Sequence, residues 1–212
     1  MTMLTGALLA APSGQCATVN VTVTDEDERP AENAVVELIP QAEAGPLTPT
    51  KVPAEAVVDQ RKETFLPLVS LIRRNGRVMF TNNDTTMHQV YSFSDIKQFA
   101  FEIDEGQRSA PVVFDKPGVA AIGCNIHDHM ITYVYVAASP WAARTDANGV
   151  AQIADVPSGT YQAVFWHPQL SRSKMPAPSE LVVSGATAKL ATSLVLSMAD
   201  PRNKKHAHMQ MY

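Results

Sequence analysis

The sequence predicts an all-β chain with β-sandwich architecture. Short runs rich in β-branched and aromatic residues recur along most of the 212 residues, and clusters of Pro, Gly, Asn and Asp separate them. Several runs alternate apolar and polar residues, as half-buried strands do. The sequence contains no convincing amphipathic helix of three or more turns. Many short strands with regular turn signals are typical of β-sandwiches.

The first two predicted strands span residues 17–24 and 34–39. The first alternates as ATVNVTVT, and the polar stretch DEDERP that follows predicts a turn, so we expect a hairpin. Residues 41–53 carry three prolines and few large apolar side chains, which indicates a linker or a long crossover.

The middle of the chain predicts a dense set of strands with polar turns between them. They are expected at residues 56–58, 65–72, 77–81, 90–93, 99–103, 112–114, 119–122 and 131–137. After Pro140 the pattern restarts, with strands expected at 142–144, 150–153, 160–166, 181–183 and 190–196. The stretch DANG at 146–149 predicts a hairpin turn between the first two of these.

Composition and charge narrow the function classes. Hydrophobic residues make up 45% and charged residues 18%, which is typical of a globular protein, and the formal net charge is -4. An acidic balance argues against nucleic acid or an anionic membrane surface as a partner. The apolar run at residues 4–11 is far too short to span a membrane.

The N-terminal segment, residues 1–17, resembles the end of a secretory signal peptide that lacks its basic region. We therefore expect translation to begin upstream of Met1 and the protein to be periplasmic. An unstructured cytosolic N-terminus and a lipoprotein anchor at Cys16 are the alternatives. If cleavage occurs near residue 17, Cys124 is the single remaining cysteine and no structural disulfide forms.

The candidate site lies in GCNIHDHM, residues 123–130. Cys124, His127 and Met130 follow the spacing C-x2-H-x2-M between two predicted strands. A thiolate, two imidazoles and a weak axial thioether form the ligand set of a type 1 copper centre. The second imidazole is expected from His88 in TNNDTTMHQVYSF, just after a predicted strand. The sequence therefore predicts one mononuclear copper.

The same residues allow other interpretations. Cys124 could be an inert buried thiol and Met130 a core-filling side chain, because both residue types are common in cores. A zinc site usually takes four Cys, His or carboxylate ligands, and Met is a poor one. A nucleophilic cysteine needs a base and an orienting group, and no such set is readable, so no enzymatic activity is expected.

The chain also resembles a known family. FLPLVSLIRRNGRVMFTNNDTTMHQV is similar to the cupredoxin pattern F-x-P, then G-x-x-V-x-F-x-N-x-D, then His. VDQRKETFLP, VYSFS and FDKPGVAAIGCNIHDHMITYVYV resemble the bacterial proteins named methylamine utilization proteins, which are secreted cupredoxin-domain proteins. The resemblance implies a Greek-key cupredoxin domain at residues 55–138 and implies His88, Cys124, His127 and Met130 as its copper ligands.

The chain departs from these patterns close to the site. Met87 stands where the family usually has a further histidine, and His129 stands where it often has an aromatic residue. Gln89 replaces the Asn that ties the two ligand loops together in well-known blue copper proteins. The loop also lacks proline, so we expect the N–H of Ile126 to point at the Cys124 sulfur and to lower the reduction potential.

Two outer segments resemble parts of a second domain. VNVTVTDEDERPAENAVVELIP and RTDANGVAQIADVPSGTYQAVFWHP are similar to the immunoglobulin-like, carboxypeptidase regulatory-like fold. The resemblance implies that residues 18–45 and 139–197 form one β-sandwich into which the cupredoxin region is inserted, with a structural or docking role. Carbohydrate binding is sometimes attached to this fold class, but fold alone does not imply it. Tyr161 and Trp166 are expected in its core.

The last segment, residues 198–212, contains His206, His208, Met209 and Met211. Such a His/Met cluster can hold copper loosely and pass it to or from a partner, or it can simply be a solvated tail.

The function predicted is a periplasmic electron carrier that cycles between Cu(II) and Cu(I) with unidentified redox donor and acceptor proteins. A copper-handling protein for resistance or delivery is the alternative. A non-metal docking module with a vestigial copper loop is the third interpretation.

Overall fold

The computed structural model describes residues 16–42, 50–170 and 172–196. Within these ranges the chain forms strands and one 3₁₀ turn (Arg172–Lys174) but no α-helix, which confirms the predicted all-β class. No helix in this part of the chain has the length and apolar character needed to cross a membrane. The strands are β1 (Cys16–Asp25), β2 (Val35–Pro40), β3 (Glu55–Gln60), β4 (Phe65–Leu66), β5 (Val69–Arg73), β6 (Gly76–Asn82), β7 (His88–Ser94), β8 (Lys97–Ile103), β9 (Val112–Phe114), β10 (Gly118–Cys124), β11 (Ile131–Ala137), β12 (Ala142–Arg144), β13 (Val150–Pro157), β14 (Gly159–Trp166), β15 (Ser179–Val183) and β16 (Thr187–Leu194).

The first pair of sheets comes from the two ends of the described chain. One sheet has the order β13-β1-β16 and the other β12-β2-β14-β15. The apolar positions of β1 alternate, and Val19, Val21 and Val23 are fully buried in the core that both sheets share. Tyr161 lies in this core as predicted, and its ring packs edge-on against Trp141.

The second pair of sheets comes from the middle of the chain. One sheet has the order β5-β11-β10-β7-β8 and the other β4-β3-β6-β9. Both sheets contribute to one core, in which Phe80 is fully buried and its ring contacts Phe99 and Phe101. The candidate residues Cys124 and Met130 belong to the same core, so the site lies at the edge of a packed sandwich.

A third apolar cluster joins the two sheet pairs. Val35 of β2 and Val69 of β5 are buried in it, with Tyr135 of β11. Trp166 packs against this cluster, with its ring 5.5 Å from that of Tyr133 and 5.8 Å from that of Tyr135. Trp166 is therefore half-buried between the sheet pairs rather than in the core of one sandwich.

Two predicted hairpins are wrong. β1 pairs with β13 and β16, whereas β2 pairs with β12 and β14, so the first two strands lie in different sheets. β12 and β13 are separated in the same way, although the DANG turn between them forms, with a hydrogen bond from the N–H of Gly149 to the carbonyl of Asp146. Alternation shows that one face of a strand is buried, but it does not identify the neighbouring strand.

The single strand predicted at residues 65–72 is also wrong, because the chain changes sheets there. Phe65–Leu66 pairs with β3, and Val69–Arg73 pairs with β11 in the opposite sheet. Pro67 lies between them and has no N–H to donate to a ladder. Residues 1–15, most of the predicted linker and the His/Met segment lie outside the described residues, whereas Cys16 and Ala17 belong to β1.

Candidate metal centre

The sheet brings two of the predicted ligands together. In the ladder between β7 and β10, Cys124 lies directly opposite Val90. His88 is two residues before Val90, so its side chain projects from the same face of the strand. All three side chains are at most 2% exposed. β7 begins at His88 and the antiparallel strand β10 ends at Cys124, so the imidazole and the thiol lie next to one another at the same edge of the sheet and point into the apolar core.

The loop between β10 and β11 adds His127. The ligand atoms of His88, Cys124 and His127 all lie within 4.8 Å of one another, and the His88 Nδ1 is 3.6 Å from the Cys124 Sγ. The two imidazole rings are tilted, with centroids 5.1 Å apart. Met130 is 2% exposed in the same core as Cys124. Its N–H donates to the carbonyl of His127 at 2.9 Å and closes the loop.

A direct tie joins the two ligand-bearing segments. The Nδ2 of Asn125 donates to the Oε1 of Gln89 at 2.7 Å, and the N–H of Asn125 donates to the carbonyl of Gln89 at 3.0 Å. Gln89 stands where the sequence pattern of well-known blue copper proteins has Asn. Gln89 follows His88 and Asn125 follows Cys124 in the chain, so their two hydrogen bonds hold the ligand-bearing segments at a fixed distance.

The carboxylate of Asp84 holds His88 from outside. Its Oδ2 lies 2.9 Å from the His88 Nε2, and the backbone N–H of Glu63 and that of Lys62 also donate to this carboxylate. Burial raises the pKa of Asp84, but these hydrogen bonds outweigh it, and the net pKa lies below the usual value. Both oxygens of Asp84 accept backbone N–H groups, so Asp84 faces His88 as an acceptor, and a neutral imidazole with its proton on Nε2 would turn the Nδ1 lone pair toward Cys124.

His127 has an unusual environment for an imidazole. Its Nδ1 is buried without a hydrogen-bond partner in the described part of the chain. Burial lowers its pKa, Glu63 opposes that change, and the nearby His88 and His129 add to it. A buried imidazole nitrogen without a partner costs free energy unless something binds it. A soft thiolate, two neutral imidazoles and a thioether fit a copper ion better than magnesium or calcium, which prefer oxygen ligands.

The remaining predictions about this loop have mixed outcomes. In the described chain the N–H of Ile126 makes no hydrogen bond to the Cys124 sulfur, so the expected effect on the reduction potential loses its basis. His129 lies outside the ligand group, and its Nε2 is 3.0 Å from the carbonyl oxygen of Glu63. Asp84 and Glu63 are not among the predicted site residues. Asp84 is the Asp of the pattern F-x-N-x-D that precedes His88, which could have indicated it, whereas no local pattern indicates Glu63.

Comparisons with known proteins find partial matches among solved structures. No protein-family profile matches the chain, and no curated protein matches it. Among solved structures, a purple cupredoxin from Nitrosopumilus maritimus matches with 23% identity and a TM-score of 0.36 over 39% of this chain and 99% of its own. Amicyanin from Paracoccus versutus matches with 24% identity and a TM-score of 0.33 over 47% of this chain and 96% of its own.

A copper-containing nitrite reductase from Thermus scotoductus matches with 24% identity and a TM-score of 0.36. The match covers 46% of this chain and 25% of the reductase chain, so less than half of this chain corresponds to a quarter of that enzyme. Similarity at this level does not transfer an activity to this chain.

Proposed function

We propose that this protein binds one copper ion as a type 1 centre and carries single electrons in the periplasm. The observation that supports this most directly is the cluster of His88, Cys124 and His127, whose ligand atoms lie within 4.8 Å of one another. The buried Nδ1 of His127 without a partner is the second support, because a bound metal satisfies it. Copper supplies one-electron redox chemistry when it is bound.

Each proposed ligand has a separate task. Cys124 provides the thiolate, His88 and His127 complete the equatorial set, and Met130 is the weak axial ligand. Cys124, His88 and Met130 are held in ladders or in the core, so they change position little when the charge of the site changes. A rigid ligand set lowers the reorganisation that accompanies electron transfer. The structure exposes 21% of the His127 side chain, which brings one edge of the site to the surface.

A copper titration tests the proposal. Purified metal-free protein receives one equivalent of Cu(II) while the visible absorption spectrum is recorded, and Cys124→Ser is treated in the same way. We expect an intense thiolate-to-copper charge-transfer band that saturates at one equivalent and is missing in the variant. A matched control is Cys16→Ser, which removes the exposed cysteine and should leave the band unchanged. A colourless unmodified protein would contradict the proposal.

Copper handling for resistance or delivery is the second candidate function. The observation that favours it is His129, an additional imidazole whose ring lies 6.1 Å from that of His127 and whose side chain is 20% exposed. Exchangeable copper would distinguish the two functions. An electron carrier should retain copper in both oxidation states against a competing chelator, whereas a delivery protein should release it, and His129→Phe should slow that release.

A further inference from the structure

Both candidate imidazole ligands have a carboxylate near their outer nitrogen, within hydrogen-bond distance in His88 and at ion-pair distance in His127. The Asp84 Oδ2 is 2.9 Å from the Nε2 of His88, and the Glu63 Oε1 is 3.8 Å from the Nε2 of His127. The other nitrogen of each ring is the one available to a metal. In His88 the Nδ1 is 3.6 Å from the Cys124 sulfur, and in His127 the Nδ1 is buried without a partner in the described structure.

The two carboxylates belong to one connected unit. Asp84 accepts hydrogen bonds from the backbone N–H of Lys62 and from that of Glu63, the latter at 2.9 Å. Lys62 and Glu63 both have positive φ angles, 52° and 53°, which non-glycine residues seldom adopt without support. These hydrogen bonds hold the turn in that conformation. The same residue that contacts His88 therefore places the side chain of Glu63 beside His127.

The unit is anchored in the core by Asn82. This residue is 1% exposed, and its Nδ2 donates to the carbonyls of Thr86 and Ile103 at 2.8 and 2.9 Å. Its Oδ1 accepts the N–H of Asp84 at 3.0 Å. The position of Asp84 is thus fixed through Asn82 by backbone carbonyls of β8 and of the segment before β7, independently of any metal.

We propose that Asp84 and Glu63 are positioning residues for copper bound by His88, Cys124 and His127, and that they favour Cu(II) over Cu(I). This inference rests on the proposed function. Both oxygens of the Asp84 carboxylate accept backbone N–H groups, so Asp84 faces His88 as an acceptor, keeps the imidazole proton on Nε2 and leaves Nδ1 as the ligand. Such outer partners orient an imidazole and raise its basicity. Two negative charges near the site also stabilise the ion of higher charge.

The first test needs no copper. Long-range ¹H–¹⁵N correlation spectra of the metal-free protein report which ring nitrogen of each histidine carries the proton. We expect His88 to be the Nε2–H tautomer in the unmodified protein and a mixture of tautomers in Asp84→Asn. An Nδ1–H tautomer of His88 in the unmodified protein would overturn the inference for Asp84, whether or not the variant folds.

The second test compares copper affinities and reduction potentials of Asp84→Asn and Glu63→Gln with those of a control, Asp59→Asn. Asp59, in strand β3, is also a carboxylate, but its partners are Thr81, Asn83 and Arg61 instead of an imidazole. Loss of an outer partner is expected to weaken Cu(II) binding about 10- to 100-fold. Cu(I) binding should weaken less. Each tenfold loss of Cu(II) affinity relative to Cu(I) affinity raises the reduction potential by about 59 mV.

The outcomes separate the inference from the function it rests on. If the unmodified protein shows no charge-transfer band, the proposed function fails. If the band is present but the potentials of Asp84→Asn and Glu63→Gln rise no more than that of Asp59→Asn, the copper centre stands and the inference is wrong. A rise in both variants above the control supports it.

Discussion

Replacing Tyr135 by Phe should weaken the contact between the two sheet pairs. Tyr135 lies in β11 of the second pair and is 8% exposed, and its hydroxyl donates to the Oε2 of Glu37 in β2 at 2.8 Å. Glu37 is 4% exposed, and its Oε1 accepts the N–H of Ser139 at 2.5 Å. Burial, reinforced by the nearby Glu37, raises the pKa of Tyr135, so its hydroxyl remains a donor.

The size of the effect follows from the number of partners. Each carboxylate oxygen of Glu37 accepts one hydrogen bond from these donors, and the variant leaves Oε2 buried without its donor. Hydrogen bonds to charged groups contribute about 1.5–3 kcal/mol, and we expect a loss of that size in the free energy of unfolding. With a urea dependence of about 2 kcal/mol per molar, the midpoint should fall by about 1 M.

Urea unfolding followed by tryptophan fluorescence measures this change. Trp141 lies in the core of the first sheet pair, and Trp166 lies at the contact between the two sheet pairs. Tyr91→Phe is the matched control. Tyr91 lies in β7 of the same sheet as Tyr135, and the described structure shows no hydrogen bond from its hydroxyl. A Tyr135→Phe midpoint indistinguishable from that of Tyr91→Phe would refute the role assigned to the buried hydrogen bond.

Two further predictions concern stability. Gly149 and Gly106 have the same φ of 69°, but a Cβ at Gly149 would lie within van der Waals overlap of the Val23 carbonyl, whereas a Cβ at Gly106 meets nothing within 4 Å. Gly106→Ala should therefore cost about 1–2 kcal/mol of strain, and Gly149→Ala clearly more; equal losses in urea unfolding would contradict this. The pKa of Asp146 is lowered chiefly by a hydrogen bond from the N–H of Val150. The ionised Asp146 carboxylate should therefore stabilise the fold fully above the unfolded pKa of about 3.9, and this stabilisation should disappear as the pH falls through the lower folded pKa. Asp146→Asn should be less stable than the unmodified protein at pH ~6, and the two should be equally stable in strong acid. A constant difference between these pH values would argue against the assignment.

The structure also explains why the site can form before a metal arrives. His88 and Cys124 are placed by a strand ladder, and Asp84 orients the imidazole from the other side. Gln89 and Asn125 hold the adjacent backbone segments together. The cost of ordering these side chains is therefore met largely by folding, which leaves more of the binding free energy for the metal.

Several features were readable from the sequence because they depend on local chemistry. Alternation and turn residues predicted most strands, and Val112–Phe114, Ile131–Ala137 and Ala142–Arg144 were predicted with their observed bounds. The spacing of Cys124, His127 and Met130 indicated soft and borderline metal ligands without any knowledge of the fold. Both signals are local, because alternation within one strand identifies its buried face and the residue types of a motif identify its donor atoms.

Only the tertiary structure decided which strands are neighbours. β1 pairs in parallel with β16 near the other end of the described chain, and the first two strands separate into different sheets instead of forming a hairpin. Strand pairing depends on which strand faces pack together across the sandwich. These contacts join residues far apart in the chain, so a short stretch of sequence carries no pattern that identifies the partner strand. The placement of Glu63 beside His127 has the same origin, because a turn 64 residues earlier in the chain reaches the site only after the sheets have packed.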